Sequence, residues 1–112
     1  MSLSVTNSNS MAYKIVISPL AYIDEYEAYE WYEIQSAGLG ERFLSTLEIA
    51  YNKIAQNPEY CGFIDDNKEL RDYLVYPFPF LIVYRINGDT IEVITVHHAK
   101  KHPDKKYGNT QQ

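Results

Sequence analysis

RDYLVYPFPFLIVYRINGDTIEVITVHH, Arg71–His98, is the stretch on which the fold turns. Three runs rich in β-branched and aromatic residues, 70–75, 80–86 and 90–98, read as strands. Asn87 and Gly88 stand between the last two, and Asn-Gly between β-branched runs is the strongest short-range hairpin signal. Pro77 and Pro79 have no N–H for a ladder, so they belong to the connection before Phe80. Alternation puts Arg71, Tyr73 and Val75 on one face of the first run, and Leu81, Val83 and Arg85 on one face of the second. On the third run it opposes Ile94, Val96 and His98 to Ile91, Val93, Thr95 and His97.

Upstream the period changes from two to that of a helix. Tyr13–Ile17 is a short β-branched strand, ended by Ser18 as N-cap and Pro19 at the first helical position, where a missing N–H costs nothing. From Leu20 to about Ser36, Ala21, Ala28 and Tyr32 fall on one helical face, while Leu20, Ile23, Trp31 and Ile34 form a second apolar stripe. Two stripes predict a helix packed on two sides. After Gly38 and Gly40, residues 41–56 carry Phe43, Leu44, Leu47, Ala50, Tyr51 and Ile54 at helical spacing, until Asn57 and Pro58 stop the helix. A short link between two helices makes an antiparallel hairpin. The order is β-α-α-β-β-β, an α+β arrangement without internal repeats.

With 112 residues the chain is long enough for one domain and too short for two. Residues 1–10, MSLSVTNSNS, read as a disordered leader before a domain at 11–107, and 108–112 as a frayed tail. The leader has neither the basic nor the apolar region of a signal peptide, and no apolar run suits a membrane span, so a cytoplasmic location is expected. Cys61 is the single cysteine and has no partner for an internal disulfide. The net charge of -5 argues against indiscriminate binding to nucleic acid or anionic membrane. It is unevenly spread: residues 1–66 hold three Lys/Arg against ten Asp/Glu, and residues 67–112 hold seven against five. An anion site therefore belongs in the C-terminal half.

Familiar chemistries drop out in turn. GLG follows a helix and lacks the strand-loop-helix setting of a phosphate cradle, and no serine sits in a G-x-S-x-G turn. His98 and His102 have metal spacing only on a helix, and Pro103 follows, so no metal and no cofactor is expected. The acids of the first helix read as a solvated face rather than as a glycosidase pair. What remains is cationic: Arg71 and Arg85 within strands, and HHAKKHPDKKY, which gathers all three histidines and four of the seven lysines.

Taken together, the first strand, the hairpin with WYEIQSAGLGERFL and IAQNP, and RDYLVYPFPFLIVYRINGDTIEVITVHHAKKHP resemble the RelE/ParE family of bacterial type II toxin-antitoxin toxins, often called plasmid stabilisation proteins. The resemblance runs from Tyr13 to Pro103 and is most specific at the Arg71 strand, at Phe78-Pro79-Phe80 leading to Tyr84-Arg85, and at the strand ending in His98. It implies a small twisted antiparallel sheet of about four strands with the helical hairpin packed on one face. It also implies an antitoxin whose extended segment and helix wrap the toxin, and one of two targets: DNA gyrase, met by protein contact in ParE-like members, or messenger RNA, cut on the ribosome by RelE-like members.

RNA cleavage needs a base for the 2′-hydroxyl, cations for the developing phosphorane charge and an acid for the leaving oxygen. By resemblance Arg71, His98 and Tyr107 take the catalytic positions of the nuclease branch, and Arg71, Arg85, Lys100 and Lys101 form the anion-binding or partner-binding set. The helix-to-sheet segment EYCGFIDDNKEL, however, offers only Lys68, and an acidic chain is repelled by a ribosomal polyanion except along its basic edge. The expected function is therefore that of a ParE-like toxin acting by protein contact. The alternatives are a ribosome-dependent messenger RNA endonuclease, or an inactive member that retains antitoxin binding.

Overall fold

The structure, a computed structural model, describes residues 13–100. The expected leader at 1–10 and tail at 108–112, together with Lys101 and Tyr107, lie outside the described residues. The elements run β1 (Lys14–Ile17), α1 (Pro19–Gln35), α2 (Leu39–Gln56), β2 (Arg71–Leu74), β3 (Phe80–Asn87) and β4 (Thr90–His98). They form one four-stranded sheet in the order β1-β4-β3-β2, with the helical hairpin on one face.

Ser18 starts α1 as its spacing predicts: its hydroxyl accepts from Ala21 N at 3.0 Å and donates to Ile94 O at 2.8 Å, which ties the helix start to β4. The α1–α2 junction is tighter than the glycines alone suggest. Gly38 takes φ +89°, in the left-handed region, and a side chain on Gly40 would place Cβ 2.6 Å from the carbonyl oxygen of Tyr29. Glu33 then fills the start of α2, its two carboxylate oxygens accepting from Gly38 N at 2.8 Å and Gly40 N at 2.9 Å. The free N–H groups of this helix start thus already hold an anion, the protein's own.

Three features of the sheet depart from strict expectation. The sheet is mixed rather than wholly antiparallel, because β1 pairs with β4 in parallel, Ile15 beside Ile91 and Ile17 beside Val93. No tight turn links these strands; the helical hairpin and two further strands intervene, so no hairpin forces them antiparallel. In β4 the simple alternation breaks. Val83 pairs with Thr95 and Tyr84 with Val93, leaving Ile94 as the extra residue of a bulge, so Ile91 and Val93 share the core with Val96. The hairpin turn, finally, is Gly88–Asp89 rather than Asn87–Gly88, since Asn87 pairs with Thr90, and Gly88 supplies the positive φ of 66°.

The core joins Phe43, Leu47 and Ile54 of α2 to Ile82, Tyr84, Ile91 and Val93 of the sheet. Phe78 and Phe80 bring the F-P-F segment into an aromatic cluster with Tyr32 and Phe43, ring centroids 4.9 to 6.1 Å apart. These aromatics are core. Only the Ala21/Ala28 face of α1 is buried; Leu20, Ile23, Trp31 and Ile34 are exposed, so among the described residues the helix is packed on one side and not two.

Candidate functional site

Two concavities flank the core. The first, of 460 Å³, lies beside the edge strand β2 and is lined by Glu59, Phe63, Lys68, Glu69, Arg71, Arg85, Ile86 and Asn87. It holds three of the chain's cations, and two are already engaged. Arg71 Nη1 donates to the carbonyls of Glu59 and Cys61, and its guanidinium lies 3.9 Å over the Phe63 ring. Arg85, cross-strand from Glu92, donates from Nε to Glu92 Oε1 at 2.6 Å, and Asn87 Nδ2 donates to the other oxygen at 3.2 Å. These hydrogen bonds hold the Glu92 carboxyl below its ordinary value, Arg85 contributing most. The segment between α2 and β2 is pinned again by Tyr84, whose buried hydroxyl donates to Pro58 O at 2.7 Å. Burial pushes that phenol well up, so it acts here as a donor and not as an acid.

The second concavity, a cleft of 530 Å³, separates α1 from the ends of β3 and β4; Asp24, Glu27, Trp31 and Tyr32 form one wall, and Pro79, Phe80, Val96 and His98 the other. Asp24 Oδ2 accepts from Val96 N at 2.9 Å, close to the β4 bulge. The His98 ring stands edge-on to Phe80 at 5.3 Å, and its Nδ1 accepts from Lys100 N at 3.1 Å. Among the described residues no three His, Cys, Asp or Glu side chains gather as metal ligands.

The cationic residues singled out by sequence therefore occupy different places. Arg71 pairs with Tyr84 and His98 with Phe80, four residues apart along β3 and two strand spacings across, about 16 Å, with buried Ile82 between them. Arg71 and Arg85 meet in one hollow, His98 and exposed Lys100 stand at the other end, and Lys101 and Tyr107 lie outside the described residues. Lys68, a neighbour of Arg71 in the hollow, was noticed in the sequence only as a lone cation. Asp24 and Glu27 look from sequence like part of a solvated face, yet both line the cleft. The signal that finds them is their placement within the Leu20/Ile23/Trp31/Ile34 stripe.

Two solved structures share this architecture. One is the chromosomal ParDE toxin-antitoxin system from P. aeruginosa, with a TM-score of 0.70 and 14% identity, covering 81% of this chain and all of the other. The other is the RelBE2 toxin-antitoxin complex from Mycobacterium tuberculosis, with a TM-score of 0.56 and 17% identity, covering 78% of this chain and 98% of that one. At such identities the likeness is one of fold. No curated protein matches the chain in sequence. Residues 15–103, which hold both concavities and every described element but the first residue of β1, match the family described as ParE toxin of type II toxin-antitoxin system, parDE. A family match of that extent, on the β-α-α-β-β-β frame, makes this chain a member of the ParE toxin family of type II toxin-antitoxin systems.

Proposed function

We propose that this toxin acts by protein contact on a DNA gyrase-type target and is neutralised by a cognate antitoxin. The observation that carries this reading is the engagement of Arg71 by two backbone carbonyls and the Phe63 ring, about 16 Å from His98. General acid-base cleavage of RNA needs its groups within hydrogen-bond reach of one phosphate, and a guanidinium tied to the α2–β2 segment serves packing first. Arg71, Arg85, Lys100 and Lys101 are then partner contacts rather than a catalytic set. The antitoxin partner accords with the ParDE and RelBE2 assemblies named by the two similar structures.

One observation favours the nuclease reading: Lys68, Arg71 and Arg85 line one hollow of nucleotide size. In that case Arg71, His98 and Tyr107 keep their catalytic assignments, and substrate must draw them together.

Induced expression in growing cells, with and without the neighbouring gene, separates these readings. The expected result is growth arrest relieved by the neighbour, inhibition of gyrase supercoiling by purified protein, and arrest that survives His98→Ala. Ribosome-dependent messenger RNA cuts that vanish in His98→Ala overturn the gyrase reading.

A further inference from the structure

The apolar stripe of α1 that the other described residues leave uncovered carries carboxylates in its middle turns. Leu20, Ile23, Trp31 and Ile34 are 52%, 54%, 59% and 81% exposed. Glu27 and Glu30 fall on the same face at helical spacing. At 1.5 Å per residue, the stripe from Leu20 to Ile34 is about 21 Å long, enough to seat four turns of a partner helix. It opens along one side into the cleft floored by Phe80 and Val96. Scattered surface apolar residues are ordinary, but the pairs Leu20/Ile23 and Trp31/Ile34 on one helix face, separated by Glu27 and Glu30 and set beside a concavity, mark a contact surface.

Charge selects the occupant. α1 carries five Asp or Glu and no Lys or Arg, so nothing within the helix neutralises the stripe. A second copy would set two acidic rows against each other, because a two-fold contact brings the same patch to itself. An acidic amphipathic segment meets the same repulsion. We infer that the α1 stripe and its cleft dock an amphipathic segment whose apolar face is flanked by lysine or arginine. This rests on the antitoxin reading above and gives that partner's docking segment its chemistry: cationic where it crosses α1.

Trp31 is the chain's single tryptophan and sits in the stripe, so its emission reports occupancy directly. The probe is a synthetic amphipathic peptide with a leucine face flanked by lysines, compared with the same peptide carrying glutamate in place of lysine. The full chain should show a saturable blue shift with the lysine peptide that weakens as salt rises, and little with the glutamate peptide. Glu27→Lys with Glu30→Lys should weaken the lysine peptide about tenfold and strengthen the glutamate peptide. Helical circular dichroism should be unchanged, and Glu27→Gln should give an intermediate loss.

Equal affinity for both peptides, or indifference to the charge swap, overturns the inference. So does an emission shift that follows only the protein's own concentration, with dimers in sedimentation, which would assign the face to a second copy. A neighbour-encoded antitoxin that binds as tightly after the swap removes the cationic segment and leaves the antitoxin reading standing. If no such partner co-purifies, the antitoxin reading fails, and the peptide comparison still decides what the stripe accepts.

Discussion

Two side chains carry more of the fold than their sequence context suggests. Tyr51 of α2 donates to Glu25 of α1, a hydrogen bond across the hairpin. Burial pushes the Glu25 carboxyl above its ordinary value of 4.5, with Tyr51 pulling it back and Asp24 adding to the rise. A raised carboxyl favours the protonated folded state, so its contribution is fully present below about pH 4.5 and is lost as pH rises through the folded value. Glu25→Gln should therefore gain stability relative to the parent between pH 4 and pH 7. Tyr51→Phe should lose about 1–2 kcal/mol at pH 7 and less at pH 4, since it strips a half-buried carboxylate of its donor; urea titrations at both pH values check this. Arg71 is the second case. Its removal frees two carbonyls and a ring, so Arg71→Ala should cost about 2 kcal/mol and Arg71→Lys should not restore it, because an ammonium has no planar face to stack on Phe63. Thermal unfolding of the two variants measures the difference, and any loss of toxicity in them must be judged against it.

The α1–α2 junction shows how an element boundary is decided. Gly40 is required by a backbone carbonyl 2.6 Å from where its Cβ would sit, and Glu33 is required by two backbone N–H groups. Gly40→Ala should destabilise by about 2–3 kcal/mol, because Tyr29 O belongs to a helix and cannot move aside cheaply. Glu33→Ala should cost about 1 kcal/mol, the usual loss of a helix cap, with a smaller loss for Glu33→Gln. Denaturant midpoints of the three variants test that order. The β4 bulge is the comparable device in the sheet. By slipping one residue at Ile94 it turns Val96 and His98 to the helix-bearing side and presents Val96 N to Asp24.

For the whole molecule, the separation of Arg71 from His98 has a functional consequence. If the proposed protein-contact action holds, binding is spread over several side chains, and single replacements at Lys100 or His98 should leave growth arrest within a few-fold of the parent, as colony counts after induction will show. The described helices are not membrane spans: none is long and apolar enough. The surface of α1 is instead acidic and apolar, whereas the hollow beside β2 mixes Lys68, Arg71 and Arg85 with Glu59 and Glu69.

The element types, their order and most of their ends are legible in the residues alone. Those depend on local chemistry: Ser18 and Pro19 at the start of α1, Asn57 at the end of α2, a glycine in a hairpin turn, and periods of 3.6 and 2 between them. The residues also display both stripes of α1, without saying that one would stay uncovered. The parallel pairing of β1 with β4, the bulge that overrides alternation, and the placing of Arg71 far from His98 come from long-range packing. Each of these depends on which distant residues bury together. Strand direction without a connecting turn, one extra residue in a ladder, and the distance between two cations are properties of the packed sheet, and no local propensity encodes them.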